Sequence, residues 1–218
     1  MKAAGFQIVY DHGVGPFDTN FLPDIISMKN KGVKLFFSQE LPDNYAATLA
    51  KQFQQQNFKV INIEGAAYSS QLVSLAGSAG EGMYIAQPYA LYIGQDASAV
   101  PAVAVFDRWV KKVDPQANFE IETLYGWASA ELFTQALQAA GSDPTRAKLV
   151  QALGKITSFD ADGLIPQENP SANVPGHCWL LAQIKNGTVV RVPPTPATGF
   201  VCSPSGYLTA PGWHPEQR

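Results

Sequence analysis

The sequence of 218 residues has little charge, few cysteines and no long apolar run. Only 15% of its residues are charged and the formal net charge is −3, so no basic surface for nucleic acids or anionic membranes is expected. Its apolar runs are interrupted well before the roughly 20 residues that a membrane-spanning helix requires. With 46% hydrophobic residues, the chain can still bury a substantial core. These properties predict a globular protein of one large or two small domains.

Motifs for catalysis and metal binding are also scarce. The histidines at positions 12, 177 and 214 lie in loop-like or terminal sequence, and neither a G-x-S-x-G elbow nor an H-E-x-x-H motif occurs. The glycines beside His12 lack the spacing of a dinucleotide loop, and a strand-to-helix loop explains them better. "FDADG", residues 159–163, lacks the later ligands of a calcium loop and is better explained as a turn. We therefore expect no catalytic residue, no cofactor and no metal.

The two cysteines, Cys178 and Cys202, are 24 positions apart. They are too few for a closed zinc site, and they do not form a C-x-x-C pair. A disulfide between them would stabilise the fold by about 3 kcal/mol in an oxidising compartment. Two buried free thiols in a cytosolic protein are the alternative, and the residues alone leave both possibilities open.

Short apolar runs bounded by turn residues predict a parallel sheet in the first part of the chain. They are rich in Val, Ile, Phe and Tyr, which is typical of central strands covered on both faces. Helical patterns separate them, and this order predicts right-handed crossovers. The predicted strands are residues 6–11, 33–38, 59–64 and 82–89. The predicted helices are residues 19–32, with a Thr19 cap and a Gly32 stop, then 42–57 and 69–77.

Three consecutive helices and a hairpin follow. The helices are predicted at residues 101–113, 122–141 and 143–156, and no strand separates them. Their apolar faces need a surface to pack on, so we expect exposed apolar area and self-association if that surface is absent. Asn186-Gly187 between two alternating apolar runs predicts a β-hairpin. The remaining residues, rich in Pro and Gly, predict an extended strap.

A lone carboxylate stands out at the end of the third predicted strand. In "VINIEGAAYSSQL", residues 60–72, Glu64 ends the strand and has no basic neighbour in sequence. Ligands of parallel α/β sheets bind outside the carboxyl ends of the strands, where a ligand ammonium could neutralise this side chain. The alternatives are a solvated strand-end residue and an ion pair with a distant lysine. Small residues follow Glu64, and then Tyr68, Ser69 and Ser70 offer hydroxyls and helix-start amides.

The order of these segments resembles the type I periplasmic binding proteins that deliver branched-chain amino acids and amides to ABC transporters. The stretch "IEGAAYSSQLVSLAGSAGEGMYIAQPY" is similar to that family's P-E-G turn, short helix and A-G-x-x-x-E-G-M strand entry. "YGWASAELFTQALQAAGSD" and "LVQALGKITSFDADGLI" are similar to its late helices. The resemblance extends from about Gly5 to Arg191, and it rests on an ordered set of motifs.

The resemblance implies an α/β, Rossmann-like fold in which two lobes close over a ligand. Residues 1–92 are expected to form the C-terminal lobe, residues 95–157 to supply helices to an incomplete N-terminal lobe, and residues 158–205 to return to the C-terminal lobe, with a tail at 206–218. Met1 is followed by "KAAGFQIVYD", which is typical of a helix end rather than a signal peptide. We therefore expect that the family's signal peptide and first half lie outside this chain.

The resemblance also implies a set of ligand-binding residues. Glu64 is similar to the acidic residue that holds a ligand's α-ammonium group, although Ile63 stands where the family has proline. Trp127, with its neighbour Tyr125, corresponds to an aromatic wall, and core packing is the alternative for Trp127. Further candidates from the loop after the second predicted strand and from the turn after Glu64 are Gln39, Glu40 and Tyr68, with Tyr45 less favoured. A secreted location also makes the Cys178–Cys202 disulfide the favoured state.

These expectations describe an extracytoplasmic (periplasmic or cell-surface) solute-binding protein of an ABC importer. It would bind an amino acid or small amide between two lobes, contact a transporter permease and perform no chemistry. A ligand-sensing domain of the same fold in a regulator is the main alternative, and a free-standing α/β enzyme is less favoured. Because half of the family's cleft would be missing, we expect this chain alone to bind ligand weakly or not at all.

Overall fold

The structure, a computed structural model, describes residues 5–15, 18–39, 41–65, 67–174 and 176–203. These residues form two compact units. The first unit contains the described residues up to Gln87 together with residues 181–192, and the second contains residues 88–180 and 193–203. The assignment of segments to the two lobes of the resembled family stays a prediction.

The first unit is built on a sheet of mostly parallel strands. The strands are β1 (Leu35–Ser38), β2 (Ile61–Glu64), β3 (Tyr84–Gln87), β4 (Cys178–Lys185) and β5 (Thr188–Arg191), adjacent in that order. β1, β2 and β3 are parallel, which confirms three of the four predicted strands and the fold class. β4 and β5 form the predicted antiparallel hairpin. Its turn residues Asn186 and Gly187 have φ of 52° and 70°, as a type I′ turn requires.

Three helices complete the first unit: α1 (Leu22–Asn30), α2 (Asp43–Gln55) and α3 (Ser70–Ala76). Phe21, Ile25 and Met28 of the α1 region pack with Leu49 and Phe53 of α2 in one apolar cluster. Gly32, with φ of 68°, ends the α1 segment as predicted. The predicted Thr19 cap is wrong. The N-cap is Phe21, because Pro23 fits the first turn, and the side chain of Asn20 accepts a hydrogen bond from the backbone N–H of Leu22 at 3.1 Å.

The strand predicted at residues 6–11 is also wrong. The apolar pattern is present, but this segment forms no backbone hydrogen bond to any described residue, so it lacks the neighbour that a strand needs. Side chains hold it instead. Tyr10 packs against the apolar cluster and donates its hydroxyl to Asp24 of α1, while His12 Nδ1 lies 2.6 Å from Asp24 Oδ1. The hydrogen bond to Asp24 raises the pKa of Tyr10 to about 12.

The second unit is mainly helical, as predicted for the three consecutive helices. Its helices are α4 (Asp96–Ala99), α5 (Pro101–Val113), α6 (Ile121–Ala140) and α7 (Arg146–Leu153). α5 begins at the predicted proline, whereas α7 begins later than predicted, because the Thr145 side chain caps it by accepting from the N–H of Lys148. Ala136 of α6 and Ala152 of α7 form the centre of a small apolar cluster.

A disulfide closes the end of the second unit. The first residues of β4 pair with the short strand β6 (Val201–Cys202), and Cys178 lies directly opposite Cys202. The two sulfur atoms are bonded, which confirms the predicted pairing and corrects the alternative of two free thiols.

Several apolar side chains of the helices are exposed, among them Val113 of α5, Phe133 of α6 and Val150 of α7. The self-association expected from such surfaces stays a prediction. In the described part of the chain, no helix has the length and apolar character needed to cross a membrane.

Candidate functional site

The candidate site lies at the carboxyl edge of the sheet in the first unit. Ser38 ends β1 and Glu64 ends β2, and the parallel register places them opposite each other, so their side chains share one face. Gly65 continues the pairing, since its N–H donates to the Ser38 carbonyl oxygen at 3.1 Å. A Cβ at position 65 would lie only 2.9 Å from that oxygen. A glycine after Glu64 therefore lets the two strand ends approach closely.

Glu64 is fully buried, with an exposed fraction of 0%. The hydroxyl of Ser38 donates to Oε2, and the side-chain amide of Asn62 also donates to the carboxyl group. Oε1 has no hydrogen-bond partner among the described residues, and no described lysine or arginine forms an ion pair with Glu64. Both sequence alternatives, a solvated strand-end residue and an ion pair with a distant lysine, are therefore wrong within the described residues.

This environment raises the pKa of Glu64 from 4.5 to about 7. Burial is the main cause, because removing the carboxylate from water disfavours its charged form. The negative charge of Asp43 acts in the same direction, whereas the hydrogen bonds from Ser38 and Asn62 favour the carboxylate and lower the pKa. The carboxyl group therefore changes charge near neutral pH, where a cationic neighbour would favour the ionised form.

Asp43 belongs to a second hydrogen-bonded pair at the same edge. It is the first residue of α2 and accepts a hydrogen bond from the hydroxyl of Ser69, the N-cap residue of α3. Ser69 in turn accepts from the backbone N–H of Leu72 at 3.1 Å. Tyr68, a predicted ligand residue, is buried immediately before this cap. The small-residue turn after Glu64 thus leads into a capped helix, and the Ser69 hydroxyl is already engaged within the protein.

The other predicted residues of the first unit have separate environments. Gln39 is exposed and follows Ser38, so it lies at the same sheet edge as Glu64. Glu40 lies outside the described residues. Tyr45, the less favoured candidate, packs edge-on against Phe21 with ring centroids 5.9 Å apart. The ligand roles of Gln39, Glu40 and Tyr68 stay predictions.

Tyr125 and Trp127 are located on α6 in the second unit. The Tyr125 ring is about half exposed and meets the Tyr89 ring edge-on at 5.9 Å. Trp127 packs edge-on against Phe106 at 5.7 Å and donates a hydrogen bond to Glu131. Trp127 therefore has both a packing contact and a polar contact within its own unit, and its predicted role as a ligand wall is not decided by these contacts.

Trp127 also lines a cleft within the second unit, between α6 and the turn at residues 158–162. The cleft has a volume of about 630 Å³ and a mixed polar and apolar lining that includes Glu131, Asp160 and Asp162. Burial raises the pKa of Glu131, the hydrogen bond from Trp127 lowers it, and the two aspartates raise it. Among the described residues, no group of acidic, histidine or cysteine side chains is arranged to hold a metal ion.

Sequence reasoning identified Glu64 but missed Ser38 and Asn62. Ser38 is separated from Glu64 by 26 positions, and its role depends on the register of two strands, which the sequence does not give. The sequence does contain a weak indication of the Ser38–Glu64 contact, because two neighbouring apolar runs, "VKLFFS" and "KVINIE", each end in a polar residue. Asn62 interrupts the second run at the position that shares a face with Glu64.

Solved structures of solute-binding proteins share this fold. A branched-chain amino acid ABC transporter protein from Thermus thermophilus with bound valine is 18% identical, with a TM-score of 0.77, and the match covers 93% of this chain and 55% of that one. A fatty acid ABC transporter substrate-binding protein from Thermomonospora curvata is 23% identical, with a TM-score of 0.72 and coverages of 89% and 50%. A solute-binding protein of an ABC transporter from R. palustris in complex with benzoate is 16% identical, with a TM-score of 0.67 and coverages of 93% and 54%.

The chain thus spans about half the length of these solved structures, and at such identities they show a shared fold. A comparison with curated proteins finds no match. Residues 1–188 match the sequence model of the family described as periplasmic binding protein, which is most of the chain. The chain therefore belongs to the periplasmic binding protein family.

Proposed function

We propose that this chain is part of an extracytoplasmic solute-binding protein of an ABC importer, and that Glu64 binds the ammonium or amide N–H groups of an amino acid or small amide. The protein would deliver this ligand to a transporter permease and carry out no chemical step. The observation that carries the proposal is the buried Glu64 carboxyl group, whose Oε1 has no hydrogen-bond partner among the described residues.

A buried carboxylate is costly unless it is paired. Transfer of an ionised group out of water costs several kcal/mol, and the neutral donors Ser38 and Asn62 offset only part of that cost. A ligand ammonium group would supply both the missing charge and a hydrogen bond to Oε1. The ligand would therefore stabilise the ionised form of Glu64, which burial disfavours in the free protein.

The same chemistry distinguishes between the ligand classes of the structural relatives. Two of them were solved with bound ligands, namely valine, which carries an ammonium group, and benzoate, which is a carboxylate without one. The two hydrogen bonds that Glu64 receives favour its charged form, and a charged Glu64 would repel a second carboxylate at Oε1. We therefore favour an amine-bearing or amide-bearing ligand over a simple carboxylate for this edge.

The Cys178–Cys202 disulfide supports the proposed location. Disulfides persist in the periplasm and outside cells, whereas cytosolic thiols are kept reduced. This agrees with an extracytoplasmic binding protein that meets its permease at the membrane surface.

The experiment compares three ligands of similar apolar size. L-leucine, its deaminated analogue 4-methylpentanoate and 3-methylbutylamine are titrated into the protein at pH 8, and binding is followed by backbone amide NMR shifts, which detect millimolar affinities. We expect shifts near residues 62–65 with leucine and the amine and none with the carboxylate. Urea and short amides extend the series to neutral N–H donors.

Glu64→Gln is the matched control, because it keeps the shape of the side chain and removes its charge. We expect it to weaken amine binding at least tenfold, in line with the loss of a charge-assisted hydrogen bond. Equal binding of leucine by both proteins, or stronger binding of the carboxylate than of the amine, would overturn the proposal.

A further inference from the structure

We propose that Ser38 is a positioning residue for Glu64: its hydroxyl holds Oε2, so that Oε1 stays available for the N–H donor of the ligand. This inference rests on the proposed function for the identity of the ligand group. Its structural part, the control of Glu64 by Ser38, is testable without any ligand.

The geometry comes from the strand register. Ser38 and Glu64 are the last residues of adjacent parallel strands and lie directly opposite each other, so the short serine side chain reaches one carboxyl oxygen and not a more distant group. Ser38 itself is buried, with only 4% of its surface exposed. Water therefore cannot easily replace its hydroxyl as a donor.

The two carboxyl oxygens consequently differ in whether they already accept a hydrogen bond. Oε2 accepts from Ser38, whereas Oε1 accepts from no described residue although it is buried. A carboxylate held at one oxygen by a fixed neighbour keeps one orientation, and the second oxygen then presents its lone pairs in a constant direction. Without the hydroxyl, the carboxyl group could rotate and exchange its two oxygens.

The charged groups around this pair are few among the described residues. Asp43 of α2 acts on Glu64 with its negative charge, Asn62 of β2 contributes a neutral amide, and Ile85, opposite Glu64 on β3, is apolar. α3 contains no charged residue. Ser38 is therefore one of two neutral donors that favour ionised Glu64 against the combined effects of burial and Asp43.

The test uses Ser38→Thr and Ser38→Val, two β-branched residues of nearly equal shape of which only threonine keeps the hydroxyl. The Glu64 carboxyl carbon is labelled with ¹³C and titrated by NMR from pH 4 to pH 10 in the free protein. We expect the pKa of Glu64 to rise by about one pH unit in the valine variant, the size that loss of a hydrogen bond to a charged group implies. The threonine variant should remain close to the wild-type value.

A second readout is the affinity for L-leucine between pH 6 and pH 9. The valine variant should bind more weakly at every pH, and the loss should be about tenfold greater at pH 6 than at pH 9, because more of its Glu64 is protonated at pH 6. Threonine should restore both the affinity and its pH profile. Ser38→Ala, which adds no bulk, separates the hydroxyl effect from crowding if the valine variant folds poorly.

The outcomes separate this inference from the proposed function. An unchanged Glu64 pKa in both Ser38→Val and Ser38→Ala would overturn the positioning role, whatever the ligand is. Loss of leucine binding in Glu64→Gln together with unchanged binding in Ser38→Val would also overturn it while leaving the proposed function intact. Leucine binding that is independent of Glu64 would instead overturn the proposed function, and a raised Glu64 pKa in the valine variant would still support the structural role of Ser38.

Discussion

Glu64 in the first unit and Glu131 in the second are both carboxyl groups whose pKa is raised, and burial is the main cause for both. Their surroundings differ in other respects. Glu64 is fully buried, receives hydrogen bonds from neutral side chains and keeps one oxygen without a partner among the described residues. Glu131 lines a cleft, is partly exposed, receives one hydrogen bond from Trp127 and is close to two aspartates.

The comparison shows why a raised pKa alone does not identify a binding site. Water can solvate the exposed part of Glu131, so its charged form needs no further partner. Water has no access to Glu64 at 0% exposure, so the cost of ionising it remains until another group compensates. Glu64 is the better candidate for a ligand contact because its Oε1 has no hydrogen-bond partner among the described residues, and not because its pKa is raised.

The largest expected effect is on the pH dependence of stability. Between pH 4.5 and about 7, folded Glu64 keeps a proton that the unfolded chain releases, so the free energy of unfolding should fall as pH rises and then level off. A pKa difference of this size corresponds to about 3 kcal/mol. Glu64→Gln should remove this fall. Its free energy of unfolding relative to wild type should therefore rise by about that amount from pH 4 to pH 8, as measured by urea unfolding at each pH.

Glu131→Gln serves as the matched variant in the second unit. Because Glu131 is partly exposed whereas Glu64 is fully buried, removing its charge should change the pH profile less than Glu64→Gln does. Two variants with equal effects on that profile would contradict the distinction drawn between the two carboxyl groups.

A second prediction concerns the close approach of the strand ends beside Glu64. A Cβ at Gly65 would lie 2.9 Å from the Ser38 carbonyl oxygen and 3.2 Å from Phe37 Cζ, so Gly65→Ala must push β1 and β2 apart. We expect a loss of about 1–3 kcal/mol, the usual cost of overpacking, measured by thermal or urea unfolding. The Ser38–Glu64 hydrogen bond should weaken as well, visible as a higher Glu64 pKa.

Gly126 on α6 provides the opposite case. It is exposed in the interior of α6, and apart from its chain neighbours and the local helix backbone no atom is within 4 Å of a Cβ built there. Gly126→Ala should therefore stabilise the protein by about 0.5–1 kcal/mol, because alanine favours helix formation. A loss of stability at this position, or a gain at Gly65, would contradict the distinction drawn between the two glycines.

The contrast between the two units also explains what the sequence could predict. α5 was placed correctly because its start at Pro101 and its periodic apolar face are local features. Glu64 was found for a similar reason, since it ends an apolar run. The strand predicted at residues 6–11 failed because an apolar run does not reveal whether a neighbouring strand is available to pair with it.

The partner of Glu64 was beyond sequence reasoning for the same physical reason. The Ser38 contact exists because β1 and β2 pair in one register, and a shift of one residue would turn one of the two side chains to the other face of the sheet. Full burial of Glu64 was equally hidden, because a strand-end carboxylate is usually solvated. The Cys178–Cys202 pairing, by contrast, followed once the resemblance had favoured an oxidising compartment.

The smallest expected effect concerns the Trp127 indole N–H, the neutral hydrogen-bond donor to Glu131 in the second unit. Trp127 lies one helical turn before Glu131 on α6 and donates its indole N–H to that carboxyl group, which lowers the pKa of Glu131. Trp127→Phe keeps an aromatic ring against Phe106 and removes the donor, so the pKa of Glu131 should rise by less than about one pH unit in a ¹³C NMR titration. Trp109→Phe on α5 removes a different indole and keeps the Trp127 donor, so as the control it should leave that titration nearly unchanged. Solvent can replace the lost indole donor at Glu131 but not the lost hydroxyl at Glu64. The rise in the pKa of Glu131 in Trp127→Phe should therefore be smaller than the rise in the pKa of Glu64 in Ser38→Val. A larger rise at Glu131 would contradict this ranking of the two sites.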